Sequence, residues 1–157
     1  MAEANIFDTD FVYDDGDPDG YHSGDARVGE AAGGKALAVR VFEVPAGQGV
    51  CPYHYEYEEE WLVVLEGSVD LRTPVGTRAL ERGDIVCFPP GPAGAHQVKT
   101  QTGAPTARVM MFSSAREPAV AVYPDSDKIG VWPGNKDDDG LFRRADGDVG
   151  YWDGEGT

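Results

Sequence analysis

The segment Pro52–Gly67, PYHYEYEEEWLVVLEG, sets one of the chain's three histidines among four glutamates, directly before an apolar run. Imidazole and carboxylate are ligands suited to divalent Mn, Fe, Zn or Ni. In an extended segment alternate side chains share a face, so His54 and Glu56 point the same way. A short turn through Tyr57–Glu59 lets Glu60 open the next strand, with Leu62 and Val64 on its face. If that face lines a barrel interior, His54, Glu56 and Glu60 converge. A second histidine, His96, begins another strand after the Gly/Pro-rich turn in GDIVCFPPGPAGAHQV. His54, Glu56, Glu60 and His96 are therefore the candidate ligands of one divalent metal ion. Glu58 and Glu59 fall at the hairpin tip and are expected in solvent, as is His22 in an acidic loop.

Such a site needs strands to hold it. From Ala36 onward, ALAVRVFEVPAGQG, the Trp61–Leu65 run, DIVCF, AHQVKT and ARVMMFSS are short segments, many of them β-branched or aromatic, divided by Gly, Pro and Asp clusters. That spacing predicts an all-β sandwich or barrel, and no useful helical period occurs between residues 36 and 124. Residues 1–35 are rich in Gly, Asp and Ala and read as irregular. Asp15, Asp17, Asp19 and Gly20 match the opening of a calcium loop, but the closing position is Ala26, which cannot ligate, so the segment reads as a solvated loop. The arm from about Glu117 is dense in Gly and Asp yet carries Tyr123, Trp132, Leu141, Phe142, Tyr151 and Trp152. Disordered tails are poor in aromatics, so the arm is expected along the barrel with those rings buried, and only Gly154–Thr157 loose.

Other residues qualify this picture. Arg40 interrupts an apolar strand: it is either an internal ion pair or snorkelling edge residue, or a clamp for a substrate carboxylate. Met110 and Phe112 share a strand face, as core or as the wall of a substrate pocket. Tyr53, Tyr55 and Tyr57 alternate with the His54/Glu56 face and are expected to point outward, a row that a homodimer interface or the arm would cover. Cys51 and Cys87 form no CxxC pair and are expected as free, partly buried thiols.

The 157 residues carry a formal net charge of −15, which opposes nucleic acid and anionic membrane surfaces as partners. No apolar run approaches the ~20 residues of a spanning helix, and MAEANIFDTDF has no secretory character. A cytoplasmic protein acting on a small-molecule ligand is expected.

The motifs resemble those of the cupin superfamily, whose first signature is G-x5-H-x-H-x(3,4)-E-x6-G and second G-x5-P-x-G-x2-H-x3-N. His54, Glu56, Glu60 and Gly67 carry the first, and Gly83, Pro89, Gly91 and His96 the second. The opening glycine is off register, with Gly47 and Gly49 nearby. Glu56 stands where the family has its second histidine, four residues separate Gly91 from His96, and Thr100 replaces the final Asn. The resemblance implies a double-stranded β-helix barrel forming a single domain over residues 1–157, its core about 36–124 and its arm about 117–157. His54, Glu60 and His96 match family metal ligands, and Glu56 is a substitution capable of ligation. Two carboxylates with two imidazoles make a harder site, favouring Mn(II), Fe(II) or Mg(II) over Cu or Zn. The resemblance implies a metal-dependent enzyme on a small oxygen-rich molecule, of dioxygenase, decarboxylase or isomerase type. The alternative is a non-catalytic small-molecule or sugar-binding barrel with structural or no metal.

Overall fold

The computed structural model describes residues 1–147 and 149–155. The fold is all-β, built of antiparallel sheets with one short helix, α1 (Val28–Ala31). One sheet runs β1 (Gly24–Ala26), β2 (Leu37–Val44), β9 (Ala107–Ser114), β4 (Glu60–Glu66), β7 (Ile85–Phe88). A second runs β6 (Gly76–Glu81), β5 (Ser68–Thr73), β8 (Gln97–Lys99). The third joins the arm to the site hairpin, in the order β12 (Gly140–Arg143), β11 (Lys128–Trp132), β10 (Ala119–Tyr123), β3 (Tyr55–Glu56).

Strand parity sorts the side chains. Register places Val44 opposite Ala107 on β9, and Val64 and Leu62 opposite Val109 and Met111. All of these are buried in one cluster with Leu71, Leu80, Phe88 and Val98 from the facing strands. The odd positions of β2 and the even positions of β9 face the other way, where Val41 and Met110 pack with Ala26, Val28 and Leu65 in a second cluster. The interior of the first cluster therefore ends, at the Glu60 end of β4, in polar residues.

Polar contacts fix the N-terminal segment to this frame. Tyr13 Oη donates to Glu43 at 2.7 Å, and Arg108 donates to the same carboxylate at 2.8 and 3.0 Å. Arg108 also lies 5.1 Å from the Phe11 ring centroid, and Val12 bridges to Asp25 on β1. Ala26, the position that cannot close a calcium loop, is buried in β1.

Three expectations are corrected. Tyr53 is buried, because it precedes the two-residue strand β3 and lies beneath the Arg72 guanidinium at 4.0 Å; Tyr57 alone of the three is well exposed. Cys87 is exposed, because β7 turns Val86 and Phe88 inward and leaves Ile85 and Cys87 on the outer face. The arm forms sheet and lies along the molecule, but Leu141, Phe142, Tyr151 and Trp152 are exposed, the first two because β12 is an edge strand. Of the expected loose end, Gly156 and Thr157 lie outside the described residues.

The Tyr13–Glu43–Arg108 triad generates a pH prediction. Burial acts to raise the Glu43 pKa, but the hydrogen bonds from Tyr13 and Arg108 and the arginine's charge outweigh it and hold it below the ordinary carboxylate value. A depressed carboxylate stabilises the fold above its ordinary range and loses that contribution as pH falls through its folded value. Glu43→Gln is expected to be less stable than wild type by about 1–2 kcal/mol at pH 7, a gap that narrows as pH falls below about 4. Urea unfolding of both proteins at pH 7 and pH 3 checks this; a gap unchanged with pH contradicts it.

Candidate metal centre

His54 and His96 face one another across a single antiparallel bridge. Each backbone N–H donates to the other's carbonyl, at 3.1 Å from His54 and 2.8 Å from His96. Residues that exchange both bonds stand directly opposite, with side chains on one face of the ladder. The imidazole centroids accordingly lie 4.7 Å apart.

The second ring nitrogens are oriented from the backbone. His54 Nδ1 lies 3.0 Å from the Pro52 carbonyl oxygen, and His96 Nδ1 2.9 Å from that of Gly94. A carbonyl only accepts, so each Nδ1 carries the proton and each neutral ring presents an unprotonated Nε2. Those nitrogens lie 3.7 and 3.8 Å from Glu60 Oε2. His96 Nε2 is fully buried and has no hydrogen-bond partner among the described residues. Such an orphaned acceptor aimed at a carboxylate suits a cation.

Packing holds the rings in place. Phe88 stacks on His96 at 3.7 Å between centroids and 6°, and Tyr123 stacks on His54 at 5.9 Å. The turn before His96 closes tightly: a 3-10 turn, Pro92–Gly94, takes up the residues that lengthen the interval between Gly91 and His96. The Gly91 N–H donates to the Glu56 carbonyl at 2.7 Å, tying this turn to the site hairpin. Gly94 has no room for a side chain, since a Cβ there would fall 1.9 Å from the Pro89 carbonyl oxygen.

His54 and Glu60 line a cavity of about 330 Å³, together with Arg40, Glu56, Cys51, Met111, Phe112 and Tyr123, while His96 is fully buried and off its wall. This volume lies near the lower end of ligand sites, roughly 300–1,000 Å³. Burial, then the neighbouring Glu56, raises the Glu60 carboxyl to about 8. Burial, then His54, lowers His96 to about 4, and burial lowers His54. Glu56 is raised by burial and by Glu58. Burial and the two carboxylates push the Cys51 thiol up to about 12, and burial, then Cys51 and the two carboxylates, push the Tyr123 phenol up to about 12. Each of these shifts favours the neutral form, and a divalent cation would supply the missing countercharge.

Of the four expected ligands, His54, Glu56 and Glu60 line this cavity, and His96 reaches Glu60 from a buried position. His54, Glu60 and His96 offer ligand atoms all within 4.8 Å of one another. Glu56 lines the cavity outside that group. Arg40 and Phe112 line it, but Met110 does not; it packs in the second cluster, and Met111 takes its place. Charged Arg108 marks the outward parity of β9, so the signal for Met111 was present two residues before Met110. Tyr123 was missed as a lining residue because its strand joins the site only through the β3–β10 pairing, and Cys51 because it lies in the irregular segment between β2 and β3.

Residues 40–113 match the cupin domain model, and the match encloses all four expected ligands. The chain carries a cupin domain. A comparison with curated proteins by sequence finds no match. Among solved structures, one from Acidithiobacillus ferrooxidans, described provisionally as a sugar phosphate isomerase, is 25% identical, with a TM-score of 0.74 over 83% of this chain and 81% of that one. A cupin-superfamily sugar phosphate isomerase from Silicibacter pomeroyi is 22% identical, with a TM-score of 0.77 over 95% and 97%. The polyketide cyclase RemF from Streptomyces resistomycificus is 22% identical, with a TM-score of 0.63 over 76% and 83%. Metal and small-molecule binding are common in this fold family, and the His–Glu–His group of this cupin could hold an ion. No helix among the described residues is long and apolar enough to cross a membrane.

The Gly94 contact generates a second prediction. Gly94→Ala is expected to cost about 1–3 kcal/mol of stability and to disturb the His96 ring signals, whereas Gly147→Ala, with open space around it, leaves both unchanged. Thermal unfolding and imidazole NMR decide; a Gly94→Ala protein identical to wild type contradicts the placement of this turn.

Proposed function

We propose that this cupin is a metal-dependent enzyme that isomerises a small, oxygen-rich carbonyl compound. The observation that carries this reading is the convergence of two unprotonated imidazole nitrogens, one of them buried without a partner, on the Glu60 carboxylate. His54, Glu60 and His96 would hold the ion. A bound divalent metal polarises a carbonyl or hydroxyl oxygen. The 25% identity to a protein provisionally described as a sugar phosphate isomerase favours isomerisation over the other reaction types open to such a site.

The chain's own residues then divide the remaining work. Glu56 lines the cavity outside the ligand group, and burial raises its pKa toward the range in which a carboxylate takes up and returns a proton. Its carboxylate would remove the proton from the hydroxyl-bearing carbon beside the carbonyl and return it to the former carbonyl carbon, while the hydroxyl proton passes to the former carbonyl oxygen. Phe88 and Tyr123 hold the two imidazoles in place by stacking and restrict water around them.

Elemental analysis of protein purified without added metal or chelator tests this reading. Wild type and Glu56→Gln are expected to hold near-stoichiometric divalent metal, and His96→Ala to lose it. Glu56→Gln is expected to lower isomerase turnover about 100-fold or more. A wild type with no metal, and with no thermal stabilisation on adding Mn(II), Fe(II), Zn(II) or Ni(II), contradicts it.

A further inference from the structure

Among the described residues lining the central cavity, Arg40 alone carries a permanent positive charge. It sits on the inward parity of β2, between Ala38 and Phe42, which line the same cavity. Register sets Arg40 opposite Met111 and Met111 opposite Leu62, one inward position along from Glu60. Arg40 is thus two strands across from the metal-ligand group, on the order of 10 Å between backbones. That separation gives the cavity a basic wall apart from its acidic one.

Asp25 orients the arginine. Arg40 Nη2 donates to Asp25 Oδ2 at 2.5 Å, the one hydrogen bond recorded for this guanidinium among the described residues. A guanidinium has five N–H donors in a planar fork, so most of its capacity is left for a ligand. Nor is Arg40 the sole cation beside Asp25, because Arg27 Nε lies 3.7 Å from the same carboxylate oxygen. The Arg40 side chain is 40% exposed against 24% for Asp25, so the arginine is the solvent-accessible member of the pair.

We propose that Arg40, positioned by Asp25, is an anion anchor that makes this cavity select phosphorylated or carboxylated polyols over their neutral counterparts. This rests on the cavity being the substrate site of the reading above. Arg40 stands on the wall apart from Glu56 and Glu60, and its fork is the cavity's bidentate partner for phosphate or carboxylate. The polyol oxygens then reach toward the His–Glu–His end.

Calorimetric titration of the protein as purified with a hexose 6-phosphate, the matching hexonate and the unmodified hexose tests the proposal, with metal content measured on each sample. Wild type is expected to bind at least one of the two anions 10-fold or more tightly than the neutral hexose. Whichever anion binds tighter identifies phosphate or carboxylate as the charged group. Arg40→Gln is expected to lose this discrimination at unchanged metal content. If that variant misfolds, Asp25→Asn/Arg40→Gln keeps an amide contact without a stranded carboxylate, and the same loss is expected. Equal binding of all three probes by wild type, or discrimination retained in the folded variant, overturns the anchor. A metal-free wild type that still discriminates through Arg40 contradicts the metalloenzyme reading and leaves the anchor standing.

Discussion

The reciprocal backbone bond between His54 and His96 is the constraint on which the site depends. It is a single bridge outside any long strand, yet it fixes which residues stand opposite and therefore which side chains share a face. A slip of one residue would turn one imidazole to the other side of the ladder. Everything around the bridge resists that slip. The Gly91 bond to Glu56 ties the turn to the hairpin, Gly94 admits a backbone approach that a side chain would block, and Phe88 stacks flat on His96.

With the register set, the electrostatics follow. Two imidazoles with Nδ1 bound to carbonyls can offer only Nε2 to Glu60. Two glutamates in the same low-dielectric space cannot both ionise cheaply, and burial drives His54, His96, Glu56 and Glu60 toward neutrality. The cavity also bears Arg40 on its far wall. One end therefore suits a cation and the other an anion, an arrangement suited to orienting a small polar molecule end to end.

Much of this was legible in the residue order. Parity within PYHYEYEEEW placed His54, Glu56 and Glu60 on one face, and both motifs pointed to the all-β cupin fold. Longer-range facts were not legible. Tyr53 is buried because an arginine from β5 covers it, and no local pattern announces that contact. The pairing of β10 with β3, which brings Tyr123 onto His54, joins segments more than sixty residues apart. Met111 was within reach, since Arg108 reveals the outward parity of β9, whereas adjacent methionines conceal it. The arm's aromatic residues suggested burial; edge position in the sheet leaves Leu141 and Phe142 exposed instead.

The most direct test of the central claim is long-range ¹H–¹⁵N NMR of the two imidazoles in metal-free protein, repeated on adding Zn(II). Protonated Nδ1 and bare Nε2 in both His54 and His96 are expected, with both Nε2 resonances moving together as Zn(II) is added. Nε2-protonated tautomers, or a titration in which only one ring responds, would contradict the paired site.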